Sequence, residues 1–229
     1  MQRAMVVLTL AVVAAAPVSA RAGGLDVHVG GYFPSGSSNL FSDDNQLYQH
    51  DGHPVGKSDF NGVIGGFEYN ARLVPNLEIG FGVDWYGRSL DTSYNSFVTS
   101  GGDEIRQTLR LEVVPVGVTI RIVPTSRRAR VAPYLGVGAD LVFWNYEEFG
   151  NFIDFQDPTQ PVAPDHFRSS GVTGGAHVEA GLRIYLNRDF ALVAEGRYLW
   201  AKTNMGDDFS QNRIDLGGAS GTLGFRIRF

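Results

Sequence analysis

The 229-residue chain contains no cysteine. Disulfides, thiol catalysis and cysteine-based zinc sites are therefore excluded together. Absence of thiols also suits export into an oxidising compartment, where mispairing is a hazard. Long hydrophobic runs are missing as well. Beyond the N-terminus nothing approaches the roughly 20 apolar residues that a spanning helix needs. Lysine occurs only at Lys57 and Lys202, and the formal net charge is −5, which argues against nucleic acid as a partner.

Glycine and aromatic residues, by contrast, are plentiful. There are 29 glycines, and aromatics make up 12% of the chain. That pairing suits strands, tight turns and crowded barrel interiors. Residues 1–22 have the layout of a cleavable signal peptide. Arg3 supplies the positive start, Met5 to Ala16 the apolar stretch, and Val18-Ser19-Ala20 or Ala20-Arg21-Ala22 the small-residue cleavage pattern. The remainder, 23–229, reads as one barrel domain.

From Leu25 onward, apolar residues recur at every second position, the period of a strand with two unlike faces. Leu77, Ile79, Phe81, Val83 and Trp85 alternate with Glu78, Gly80, Gly82, Asp84 and Tyr86. Eight such segments begin near Leu25, Val63, Leu77, Glu104, Val131, Val172, Leu192 and Ala219. In the fourth, the apolar positions change from odd (Ile105, Leu109, Leu111, Val113) to even (Val116, Val118, Ile120, Ile122). A one-residue slip turns every side chain to the other face, so the pattern predicts a β-bulge at Val113 to Pro115. Three connections are short: Ala71–Asn76, Pro124–Ala129 and Asn187–Asp189. Four are long: Pro34–Asp59, Ser89–Asp103, Glu147–Ser170 and Thr203–Arg213. Short and long alternate, so all long loops leave one rim. The reading is an all-β, antiparallel up-and-down transmembrane β-barrel of about eight strands, with long loops outside and both termini in the periplasm.

A soluble lipocalin-like barrel also alternates. Three features favour the membrane form. The polar face is rich in glycine, which a narrow lumen requires. Its charges nearly balance and its bases are all arginine, whose planar fork suits enclosed pairing with carboxylates. The expected lumen network comprises Glu68, Glu78, Asp84, Arg88, Arg106, Arg110, Glu112, Arg121, Glu179, Arg183, Glu195 and Arg197. Aromatics stand near the strand ends: Phe33, Tyr69, Trp85, Phe143, Tyr198, Trp200 and Phe229. Gln107 and Asp215 break the apolar stripe with outward parity, beside long loops.

The segments Gly-Leu-Asp-Val-His-Val-Gly-Gly-Tyr-Phe at 24–33, Val-Val-Pro-Val-Gly-Val-Thr-Ile-Arg at 113–121, Ala-Pro-Tyr-Leu-Gly-Val-Gly-Ala at 132–139 and Gly-Phe-Arg-Ile-Arg-Phe at 224–229 resemble the small outer-membrane β-barrel family that includes OmpA-like and OmpX-like proteins. The resemblance implies the outer membrane of a Gram-negative-type bacterium. It also implies lipid and lipopolysaccharide as partners, and a terminal Phe229 read by the outer-membrane assembly machinery. It does not imply a shared activity.

No catalytic, cofactor or metal site stands out. His177 and Glu179 share a face but have no serine nearby in the strand. His50, Asp51 and His53, with Asp43 and Asp44, carry metal-ligating groups on a loop where solvated polarity is the plainer reading. The expected role is a non-enzymatic structural or surface-interaction protein, with possible ligands at loops 34–59 and 147–170. Alternatives are a narrow pore for small solutes and a lipid-modifying hydrolase.

Overall fold

The computed structural model describes residues 23–35, 47–99, 101–124, 129–205 and 213–229. The expected signal peptide and residues Asp43 and Asp44 lie outside the described residues, as does the centre of the Pro124–Ala129 turn. Eight long strands form the barrel: β1 (Gly23–Pro34), β2 (Gly62–Val74), β3 (Leu77–Val98), β4 (Glu104–Ile122), β5 (Val131–Ile153), β6 (Val162–Tyr185), β7 (Phe190–Asn204) and β8 (Gly218–Arg228). Each pairs antiparallel with its neighbours in the chain, and β1 closes the ring on β8 from Gly24↔Arg228 to Pro34↔Gly218. Three short strands, Tyr48–His50, His53–Pro54 and Arg213–Asp215, attach at the long-loop end.

Outward-facing side chains near the short-turn end are apolar and exposed: Val27, Phe67, Phe81, Val118, Val137, Val178, Leu192 and Phe225 among them. Phe33, Trp85, Phe143 and Trp200 mark the upper margin of this belt, and Tyr69 stacked on Phe229 marks the lower. Water would strip such a surface of stability, and a bilayer core fits it.

The bulge expected at Val113 to Pro115 is absent. β4 and β5 stay in one register from Gln107↔Gly150 to Ile122↔Leu135, and Val116 and Val113 keep the same alignment with β3. Odd-numbered residues of β4 face inward throughout. The environment changes instead. Below Val114 in space, lumen residues Gly117, Thr119 and Arg121 are small or polar and the outward ones apolar. Above it, Ile105, Leu109, Leu111 and Val113 are buried inside, while Glu104, Arg106, Thr108, Arg110 and Glu112 point out. The strand leaves the apolar belt and enters water, so the greasy side moves from outside to inside.

The same change shortens the long loops expected from the sequence. Ser89–Val98, Glu147–Ile153 and Val162–Ser170 are strand rather than loop. They form two hairpin extensions, closing at Thr99–Asp103 and Asp154–Pro161. Gln107 and Asp215, expected to face out, are buried.

Candidate functional site

Two regions carry the polar chemistry: the lumen in the belt, and the hairpin extensions above it. The lumen rests on glycine. One rung reads Glu78↔Arg121↔Gly136↔Glu179↔Arg197 across β3 to β7. A Cβ on Gly136 would stand 2.6 Å from Glu179 Oε1 and 3.0 Å from Arg121 Cγ. Its missing side chain lets the two neighbours meet across it.

Arg121 is the hub, bonded to Glu179, to Asn70 and bidentately to Glu68, one of these last contacts being 2.7 Å. Arg197 reaches Asp84 (2.8 Å), Glu179 (3.0 Å), Glu195 (3.1 Å) and Glu68 (3.4 Å). Arg183 pairs with Glu78 at 2.5 Å and lies over the Tyr134 ring. Thus eight of the twelve expected network residues meet: Glu68, Glu78, Asp84, Arg121, Glu179, Arg183, Glu195 and Arg197. A buried charge without a partner costs several kcal/mol, which explains why the set is so interlinked.

The other four require correction. Arg106 and Arg110 point outward on β4 and pair with Glu104 (3.0 Å) and Glu112 (2.6 Å) in the exposed upper zone. Only a bulge would have turned them inward. Arg88 is exposed and donates from Nε to the Asp59 carbonyl at 3.0 Å. Asp26, His28 and Arg226, which the alternation already places on the polar face, join the network through Arg226–Asp26 (3.3 Å) and His28–Asp84 (2.5 Å), and two residues outside that pattern join it as well, Arg72 on Glu78 (3.0 Å) and Asn70 on Asp26 (3.0 Å). Arg72 sits at a strand end and Asn70 is uncharged, so a search for balanced mid-strand charge passes over both.

His177 also has partners the sequence does not reveal. Its Nδ1 faces Asp140 Oδ2 at 2.6 Å and its Nε2 faces Thr119 Oγ1 at 2.9 Å. Hydroxyl, imidazole and carboxylate stand in the order that acyl-transfer enzymes use. These residues come from three strands, so no local motif could show them. All three are buried. Two small lumen voids lie nearby, one of about 20 Å³ lined by Asp84, Asp140 and Arg197 among others, and one of about 10 Å³ lined by His28, Glu68 and Glu195 among others. Each has room for no more than a water molecule.

Above the network, Tyr48, Val55, Phe60, Leu90, Tyr94, Ile105, Leu109, Trp144, Tyr146, Ile214 and Leu216 form a continuous apolar core inside the extended strands. Tyr86 ties it to the wall by donating to the Phe60 carbonyl. At the loop strands, His50 Nδ1 bonds the Asp91 carbonyl (2.7 Å) and His53 Nε2 bonds Asp59 Oδ1 (3.2 Å). Among the described residues, no three metal-ligating side chains converge. At the hairpin tips, Tyr94, Phe97 and Phe155 make edge contacts of 5.4–6.2 Å, and the last two are exposed.

Sequence and structure comparisons agree on the class. The pattern described as "Outer membrane protein beta-barrel domain" matches residues 5–226. No curated protein matches the chain in sequence. Among solved structures, the outer membrane protein OprG from Pseudomonas aeruginosa superposes with a TM-score of 0.55 at 13% identity, covering 90% of this chain and 95% of that one. Outer Membrane Protein W of E. coli gives 0.45 at 13% identity, over 90% and 98% of the two chains. The outer membrane protease OmpT from Escherichia coli gives 0.43 at 10%, over 92% and 98%. With the family pattern covering nearly the whole length and a closed eight-stranded barrel wrapped in an apolar belt, the chain belongs to the outer membrane protein beta-barrel family.

Proposed function

We propose that this protein is a non-enzymatic outer-membrane anchor that presents the β3–β4 and β5–β6 hairpin extensions outside the cell as an interaction surface. The filled interior carries this reading. The charge network blocks the belt, and an apolar core closes the barrel above it. Among the described residues, the surface left to meet other molecules is that of the two long hairpins and of the loop strands beside them. In this reading residues 1–22 are a removed signal peptide and 23–229 the barrel domain. Both termini face the periplasm. Lipid and lipopolysaccharide surround the belt and rim, Phe229 engages the assembly machinery, and segments 34–59 and 147–170 meet surface ligands.

A narrow solute pore would need a continuous water path, which the Arg121 and Arg197 clusters interrupt. A hydrolase would need space for substrate beside His177, whose side chain is enclosed, and the void beside its partner Asp140 holds a water at most. Replacing Glu148–Ser169 by a tight turn tests the proposal in intact cells. The barrel should still show its heat-dependent gel shift, while adhesion to host or neighbouring cells falls. Unchanged adhesion together with unchanged envelope integrity would overturn it. Planar bilayers should show no reproducible conductance; steady channel steps would favour the pore.

A further inference from the structure

β6 is paired on one side for its whole length, from Val162↔Ile153 to Ile184↔Val131 with β5. On its other side, the ladder with β7 begins only at Gly175↔Ala201. A single side-chain bond precedes it, from Thr173 Oγ1 to the Lys202 carbonyl at 3.0 Å. Above that point, the β7-side edge of β6 has no strand beside it among the described residues.

The hydrogen bonds show which groups this edge presents. The Asp154 N–H bonds the Pro161 carbonyl, whereas the Ile153 N–H turns away to the Tyr94 hydroxyl. By the alternation of antiparallel ladders, odd-numbered residues of β6 bond β5 and even-numbered ones face the free edge. Pro164, which has no N–H, falls in the even series, and the His166 N–H is taken by Asp165 Oδ1 at 2.8 Å. Arg168 and Ser170 follow on the same edge.

This edge lies in water. Beyond Val172 the outward positions of β6 are Ser170, Arg168, His166 and Pro164, with one further exposed apolar side chain, Val162, at the hairpin tip, and open strand edges do not stand in hydrocarbon. An unpaired edge in water is a template for another strand. Charge indicates what kind. The cations of this hairpin are already engaged, with Arg168 on Glu147 at 3.3 Å and His166 on the same carboxylate at 4.0 Å. Asp154, Asp157 and Asp165 have no ion-pair partner among the described residues; their oxygens accept only from nearby N–H and O–H groups. Exposed Phe155 and Phe149 add faces that attract cations.

We propose that the free outer edge of β6 is a docking strand for an extended, lysine- or arginine-bearing segment of another protein. The inference rests on the proposed outward orientation of this end. The test uses the full chain folded in zwitterionic detergent, with a fluorescent 11-residue peptide of alternating Thr and Lys as the probe. Thr–Glu and alternately N-methylated Thr–Lys peptides are the controls. Thr–Lys should bind, with affinity falling as salt rises. Binding should weaken at least tenfold in the triple variant Asp154→Asn, Asp157→Asn, Asp165→Asn, and likewise in Ser170→Pro, which deletes an edge N–H without touching the β5 ladder. Hydrogen exchange should show new protection at Arg168 and Ser170. Absence of Thr–Lys binding would overturn the proposal. So would equal binding of either control, or protection confined to other strands. If Ser170→Pro fails to fold, the N-methylated peptide still decides. Failure here, alongside adhesion that is lost when Glu148–Ser169 is shortened, would remove the docking edge and leave the surface role standing.

Discussion

Gly136 shows how one missing side chain organises its surroundings. It sits between Arg121 and Glu179 on one rung, and any Cβ would intrude on both. Gly136→Ala should therefore lower stability by about 1–3 kcal/mol, the usual range for overpacking. Gly174, with no atom within 4 Å of the place a methyl would take, is the control: Gly174→Ala should leave the barrel unchanged. Urea unfolding in lipid vesicles distinguishes the two. At the loop strands, the hydrogen bond to Asp59 raises the His53 pKa above its ordinary 6.5. A raised histidine pKa favours the folded loop fully below about pH 6.5. That contribution should disappear as pH rises through the folded value. An NMR titration should find His53 above 6.5, and Asp59→Asn should bring it down; an unchanged titration in the variant would refute the link.

A single strand crosses two solvents, and β4 displays the consequence. Val118 faces the apolar belt, whereas Thr108, on the same face ten positions earlier, meets water and bonds Asp91 at 2.9 Å. Val118→Arg should cost about 2–4 kcal/mol, as cations do at the midplane of membrane barrels. Thr108→Arg should stay within about 0.5 kcal/mol, as surface changes generally do. Folding yields into vesicles would rank the pair, and equal effects would contradict the boundary near Val114. The sequence pattern makes these strands visible because period two persists in both zones. The boundary itself reads as a bulge, since a change of environment and a slip of register leave the same mark on a string of residues.

For the molecule as a whole, closure on β8 removes free sheet edges from the belt, leaving detergent little purchase. Unheated samples should migrate apart from boiled ones on gels. Disrupting the closing strand pair, for instance by Val27→Pro opposite Phe225 and Phe67, should abolish that difference. A variant that keeps the full heat shift would show that this seam is not needed for detergent resistance.

Sequence by itself determined the barrel class, the strand count, the apolar belt and much of the lumen charge set, because each follows from a two-residue period and from residue type. Tertiary structure decided the rest. The contacts of Asn70 and the Thr119–His177–Asp140 set depend on cross-strand register, which joins residues far apart in the chain, while Arg72 meets Glu78 across the short β2–β3 turn. The outward turn of Arg106, Arg110 and Glu112 and the unpaired outer edge of β6 depend on where each strand leaves the bilayer and how tall its neighbour is. Neither quantity is written in any one segment, since both arise only when eight strands of unequal length close into a ring.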